Sequence, residues 1–126
     1  MDISQMEFYH RELQDWHNSL KFYADEIQVF KDRLAEVVNK NTKLNLLSRA
    51  EHFQNQFIVQ KEQFDLLTHD INTQELTIRK NINTEYQSIN SPVLEAQHRL
   101  RERIQSAEKI FLELKHEFYS YLSQVF

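Results

Sequence analysis

Three observations predict an all-α fold, an elongated antiparallel up-down-up three-helix bundle with coiled-coil-like heptad packing. The first is an apolar residue at every third or fourth position over most of the 126 residues. Such spacing lays one stripe along a helix and, held near 3.5 residues per repeat, favours left-handed supercoiling. The second is a chain with no Gly, no Cys and one Pro. Without glycine there is no phosphate-cradling loop or dinucleotide fingerprint. Without cysteine there is no disulfide, thiolate zinc site or thiol nucleophile, which fits a reducing, cytoplasmic setting. The third is side-chain bulk: nine Phe, five Tyr and one Trp let a narrow core bury a large area.

Read in sevens from Met6, one core position of the first helix holds Met6, Leu13, Leu20, Ile27 and Leu34. The other holds Tyr9, Trp16, Tyr23, Phe30 and Val37. All are apolar or aromatic, which predicts a helix over about 2–40. Asn39-Lys40-Asn41-Thr42 follows as a turn, with an Asn in the left-handed conformation usually left to glycine and Thr42 as the next helix's N-cap. The second helix, about 43–82, carries the stripe Leu46, Ala50, Phe53, Phe57, Gln60, Phe64, Leu67, Ile71, Gln74 and Ile78, interrupted by two Gln. Beyond Ile78 the spacing slips to Ile82 and Ile89 while Asn81, Asn83, Thr84, Ser88 and Asn90 accumulate, predicting a frayed or bent end. Ser91-Pro92 marks a new start, because Ser caps orphan amides and Pro suits the first helical position. The third helix, about 92–125, is apolar at Val93, Leu100, Ile104, Ala107, Phe111, Leu114, Phe118, Tyr121 and Val125, with Gln97 the exception. One domain, 1–126, accounts for the whole sequence.

The net charge of −4 with 27% charged residues gives no electrostatic reason to bind nucleic acid or an acidic membrane. The acidic start, Met-Asp-Ile-Ser-Gln-Met-Glu, has no apolar run, so neither a signal peptide nor a membrane span is expected. Arg99, Arg101 and Arg103, with Arg79 and Lys80, form a basic cluster diluted by Glu85, Glu95 and Glu102, a solvated face rather than a phosphate site. No strained nucleophile turn or oxyanion loop is available, which argues against a hydrolase.

Three Glu-x-x-His pairs, Glu7/His10, Glu95/His98 and Glu113/His116, have the spacing used by di-iron bundles. Those bundles need the pairs pointing inward among carboxylates of other helices. Here the heptad phase points Glu95/His98 and Glu113/His116 outward, and His10 and His17 flank the first stripe. No metal, other cofactor or small-molecule substrate is expected.

Phe64, His69-Asp70-Ile71-Asn72-Thr73 resembles the H-box of sensor histidine kinases, in which a Phe five residues before the His packs inside. The resemblance implies His69 as phosphoacceptor and Asp70 as its acid/base neighbour. Asn72 stands where that family carries a basic residue and Gln74 where it carries Pro, and no ATP-binding domain fits the chain. A wider resemblance rests on Leu20-Lys21-Phe22-Tyr23-Ala24-Asp25-Glu26-Ile27, Glu51-His52-Phe53-Gln54-Asn55-Gln56-Phe57-Ile58, His69-Asp70-Ile71 and Phe118-Tyr119-Ser120-Tyr121-Leu122. This wording resembles a family of small uncharacterised bacterial helical proteins. It implies a three-helix cytoplasmic protein and carries no activity or site.

What remains is apolar surface that the stripes do not use: Phe8, Phe22 and Val29 on the first helix, and Leu112, Tyr119, Leu122 and Phe126 on the third. An up-down-up bundle runs these helices parallel, and a level shift of about 98 residues would set Tyr119 and Phe126 near Phe22 and Val29. A patch of this kind on a thin rod marks a protein interface. The expectation is a non-enzymatic interaction or scaffold protein that self-associates, with the phosphorelay module at His69 as the alternative.

Overall fold

The computed structural model describes residues 3–41, 43–82 and 91–125, and all of them except Asn41 and Lys43 are helical. The elements are α1 (Ile3–Lys40), α2 (Leu44–Ile82) and α3 (Ser91–Val125), within a residue or two of the expected bounds. At about 1.5 Å per residue each spans roughly 50–60 Å. Together they form the three-helix bundle that the periodicity predicts.

Contacts between named residues set the directions. Phe30 meets Phe57 at 5.7 Å and Tyr23 meets Phe64 at 5.8 Å between ring centroids, so numbering rises on α1 as it falls on α2. Arg103 meets Asp70 at 2.8 Å and Arg49 donates to Gln124 at 2.6 Å, which makes α2 and α3 antiparallel as well. Arg101 donates to Glu12 and Lys115 to Glu26, both across an offset of 89 residues. Helices α1 and α3 are therefore parallel, but the expected shift of about 98 is corrected to 89. The reason is that α3 begins level with the first turn of α1 and both helices climb from there together. Leu112 is thus within one residue of the height of Phe22, and Tyr119 of Val29.

The core changes character along the rod. Toward the C-terminal end of α1 it is aromatic, with Phe118 completely buried among Phe57 at 5.0 Å, Phe30 at 5.2 Å and Phe53 at 5.3 Å. Tyr121 closes this end by donating its hydroxyl to the carbonyl of Leu46 at 2.8 Å. Toward the start of α1 a polar network replaces the rings. Gln74 and Gln97, both buried, are joined at 3.0 Å, and Gln97 also donates to Glu12 at 2.9 Å. Arg101 holds both oxygens of Glu12 at 2.8 Å. Two of the stripe's Gln interruptions, Gln74 and Gln97, are thus structural members that satisfy one another, whereas the side-chain oxygen of the buried Gln60 has no hydrogen-bond partner among the described residues.

One core position of α1 is fully enclosed and the other is not. Met6, Leu13, Leu20, Ile27 and Leu34 are buried, whereas Tyr9, Trp16 and Tyr23 are only partly so, as is Ala107 on α3. Tyr9 and Tyr23 lie toward α3, where Arg101 and Phe111 approach their rings, and α1 approaches α3 less closely than either approaches α2.

The turn after α1 also departs from expectation. No described residue has a positive φ. Asn41 instead donates its side-chain amide to the carbonyl of Val37 at 2.8 Å, satisfying an orphan acceptor of the last turn without a left-handed residue. The amide of Leu47 then donates to the carbonyl of Lys43 at 3.1 Å, starting α2. Thr42, the expected cap, lies outside the described residues, as do the expected fraying over 83–90 and the Ser91 side chain.

Candidate functional site

The wide seam between α1 and α3 is bridged by side chains. Along its floor the α3 residues Arg101, Glu108 and Lys115 succeed one another every seven positions. Across the seam, Arg101 pairs with Glu12, and Lys115 pairs with Glu26 at 2.6 Å. Each carboxylate hydrogen bond raises its cation's pKa above the ordinary value, since it stabilises the charged form. The same offset places Glu108 level with Ser19, which offers no charge. Among the described residues Glu108 has no ion pair, and burial pushes its carboxyl pKa up. Tyr23, beneath, is raised first by burial and then by the nearby Glu108 and Glu26 carboxylates.

A carboxyl raised in the folded chain binds its proton more tightly than in the unfolded chain. It therefore opposes folding at pH above the ordinary carboxylate range and not below that range. Glu108→Gln is expected to raise the melting temperature at neutral pH, with the gain fading as pH falls through the raised pKa to the ordinary value. A gain that persists undiminished in acid would assign it to another cause.

Above this floor stand the exposed apolar residues. Phe22 is 58% exposed and Leu112 52%, forming one rung; Val29 at 62% and Tyr119 at 49% form the next. Tyr119 leans edge-on against Phe30 at 5.6 Å, with the Lys115 ammonium 5.9 Å from its ring centre. Phe8 is exposed but separated from Phe22 by Asp15. Leu122, expected on the surface, is instead partly buried and packed on the core, because it faces α1. Phe126 lies outside the described residues.

The other candidates disperse. Arg101 and Arg103 turn to opposite neighbours, Glu12 and Asp70, while Arg79 and Arg99 face Glu75 and Glu95 at 3.9 Å on their own helices. The basic cluster is therefore divided among carboxylates. His10 contacts Glu75 of α2, and His17 lines the groove between the same helices, where the sequence placed them. His98 pairs with Glu102 at 3.2 Å, and Glu113 and His116 are exposed. Among the described residues no three His, Asp or Glu are placed to hold a metal ion, and no helix is long and apolar enough to cross a membrane. His69 is exposed and Phe64 buried, in the phase of the H-box resemblance. Asp70, however, is held by Arg103 at 2.8 Å.

Sequence reasoning missed the polar network. Its signal was present, since a glutamine at a core position has to find a partner. It also missed Glu108, whose meaning depends on what stands across the seam. No protein-family model, curated protein or solved structure matches the chain, so the functional reading rests on its own residues.

Proposed function

We propose that the protein is a non-enzymatic, cytoplasmic interaction module that self-associates through the α1–α3 face. The observation that carries the reading is the pair of exposed apolar rungs, Phe22/Leu112 and Val29/Tyr119, standing over the widest seam of the bundle. Exposed large apolar groups gathered on one face cost solvation and are the usual mark of an interface. The face has adequate size. About 40 Å of two adjacent helices, about 20 Å across, gives on the order of 800 Å², the area each partner contributes to a standard specific complex.

The phosphorelay reading of His69 is weaker, because the carboxylate beside it is already committed to Arg103. No arrangement around His69 adds to the phase agreement.

Light scattering tests the preferred reading. The wild-type chain is expected to be dimeric at tens of micromolar, and the Phe22→Glu/Tyr119→Glu variant monomeric with unchanged helical circular dichroism. A wild type that stays monomeric through that range would end self-association. A variant that remains folded and fully dimeric would move the interface off this face.

A further inference from the structure

Resting on that self-association reading, we infer that the second copy docks parallel and in register, related by a two-fold axis along the rod, so that α1 of each chain lies over α3 of the other. Two helices side by side offer a second copy only two face-to-face arrangements with two-fold symmetry. In the parallel one each α1 meets the partner's α3. In the antiparallel one each helix meets its own copy reversed.

The apolar rungs fit the parallel arrangement. Phe22 is within one residue of the height of Leu112 and Val29 of Tyr119, so each rung meets its complement on the partner at nearly the same height, Phe22 on Leu112 and Val29 on Tyr119. The seam charges fit as well. Glu12 and Arg101 are paired within one chain at 2.8 Å, and the two-fold sets each opposite the other kind in the partner, giving a square of alternating sign. Glu26 and Lys115 do the same two heptads, about four helical turns, further on.

The outer edges supply a further match. On α1 the residues beside the apolar column run Arg11, Asn18 and Asp25. On α3 they run Glu102, Lys109 and His116, each about two residues, or roughly 3 Å, from the corresponding height, within reach of long side chains. The parallel dimer opposes Arg11 to Glu102, Asn18 to Lys109 and Asp25 to His116, with no like-charged pair among them. Glu102 is exposed and pairs with His98, four residues back on its own helix.

The antiparallel arrangement fails on the same residues. Stacking the Phe22/Leu112 rung on the partner's Val29/Tyr119 rung puts Glu26 against Glu26, Asp25 against Asp25 and Lys115 against Lys115. Sliding it to stack Phe22 on Phe22 instead sets Asp15 against Val29. Like charges and a carboxylate on an apolar side chain both oppose docking.

The chain contains no Cys, so Ser4→Cys carries a single spin label at the exposed start of α1. Pulsed electron resonance on the labelled dimer is expected to give a distance of about 20–30 Å, both labels lying at one end of the rod. A distance of about 50 Å or more places them at opposite ends and overturns the parallel arrangement while leaving self-association intact. A charge swap tests the edge independently, because Arg11 and Glu102 occupy opposite edges of one chain and can meet only between chains. Arg11→Glu and Glu102→Arg are each expected to raise the dimer Kd about tenfold, as two symmetry-related exposed pairs are lost. The double variant is expected to return to within about threefold of wild type. Singles that weaken the dimer with a double that does not recover would overturn the in-register pairing. A wild type monomeric up to about 100 μM, a concentration chosen to reveal weak dimers, would overturn this inference together with the function it rests on.

Discussion

Phe118→Ala is expected to lower the free energy of unfolding by about 3–5 kcal/mol, the range for emptying a large buried aromatic site. The ring is completely buried and sits where aromatic residues of α1 and α2 converge, with Phe57, Phe30 and Phe53 all within 5.3 Å. Its loss removes the transfer free energy of the ring and leaves a void that rigid rings on long helices cannot easily close. Urea denaturation at fixed protein concentration measures the effect, the concentration being held because the proposed dimerisation would add to apparent stability. Phe22→Ala is the control, since that ring is 58% exposed and should cost the fold under about 1 kcal/mol in the monomer. A Phe118→Ala loss no larger than the Phe22→Ala loss would contradict the packing described for this end.

The second large effect lies at the other end and has an unusual sign pattern. Gln97→Leu is expected to cost about 1–3 kcal/mol, although it replaces a polar core residue with an apolar one. The side chain is completely buried. Its oxygen accepts from Gln74 at 3.0 Å, and its amide donates to Glu12 at 2.9 Å. Removing it strips Gln74 of one acceptor, leaving only the Val93 carbonyl at 3.0 Å, in a place water does not reach. Adding Gln74→Leu removes the stranded donor, and the double variant is expected to recover to wild-type stability or above. A double-mutant cycle measures this as a coupling of about 1 kcal/mol or more. Additive losses would show that the two amides act separately.

The contrast between these two sites shows what was legible beforehand. Helix bounds and the buried column Met6, Leu13, Leu20, Ile27, Leu34 follow from periodicity alone, because one helix face decides them. Glutamines 60, 74 and 97 stood out as breaks in the pattern, but the bond that joins Gln74 to Gln97 did not, since hydrogen bonds between helices depend on relative height. Height was also what the sequence left open. A shift of 98 and one of 89 both agree with parallel helices, and only the contacts choose between them. That choice decides whether Tyr119 stands near Phe22 or near Val29 and Phe30. The exposed residues Phe22, Val29, Leu112 and Tyr119 were readable one helix at a time, whereas the unpaired Glu108 between two ion pairs needs all the helices in place. The turn after α1 was misjudged for a local reason, as the Asn41 amide reaches Val37 without a left-handed backbone.

The uneven core, rings at one end and amides at the other, gives the rod a direction in time as well as in space. Local opening is cheapest where few apolar contacts hold the helices together. The end built on Gln74 and Gln97 therefore opens most often, and the end built on Phe57 and Phe118 opens least. Backbone amides should lose protection against solvent exchange progressively from one end of the bundle to the other, rather than from both ends inward. Phe22, Val29, Leu112 and Tyr119 stand at the heights of the slow-exchanging aromatic core. The surface proposed to meet a partner would thereby be mounted on the steadiest part of a molecule whose far end is expected to open first.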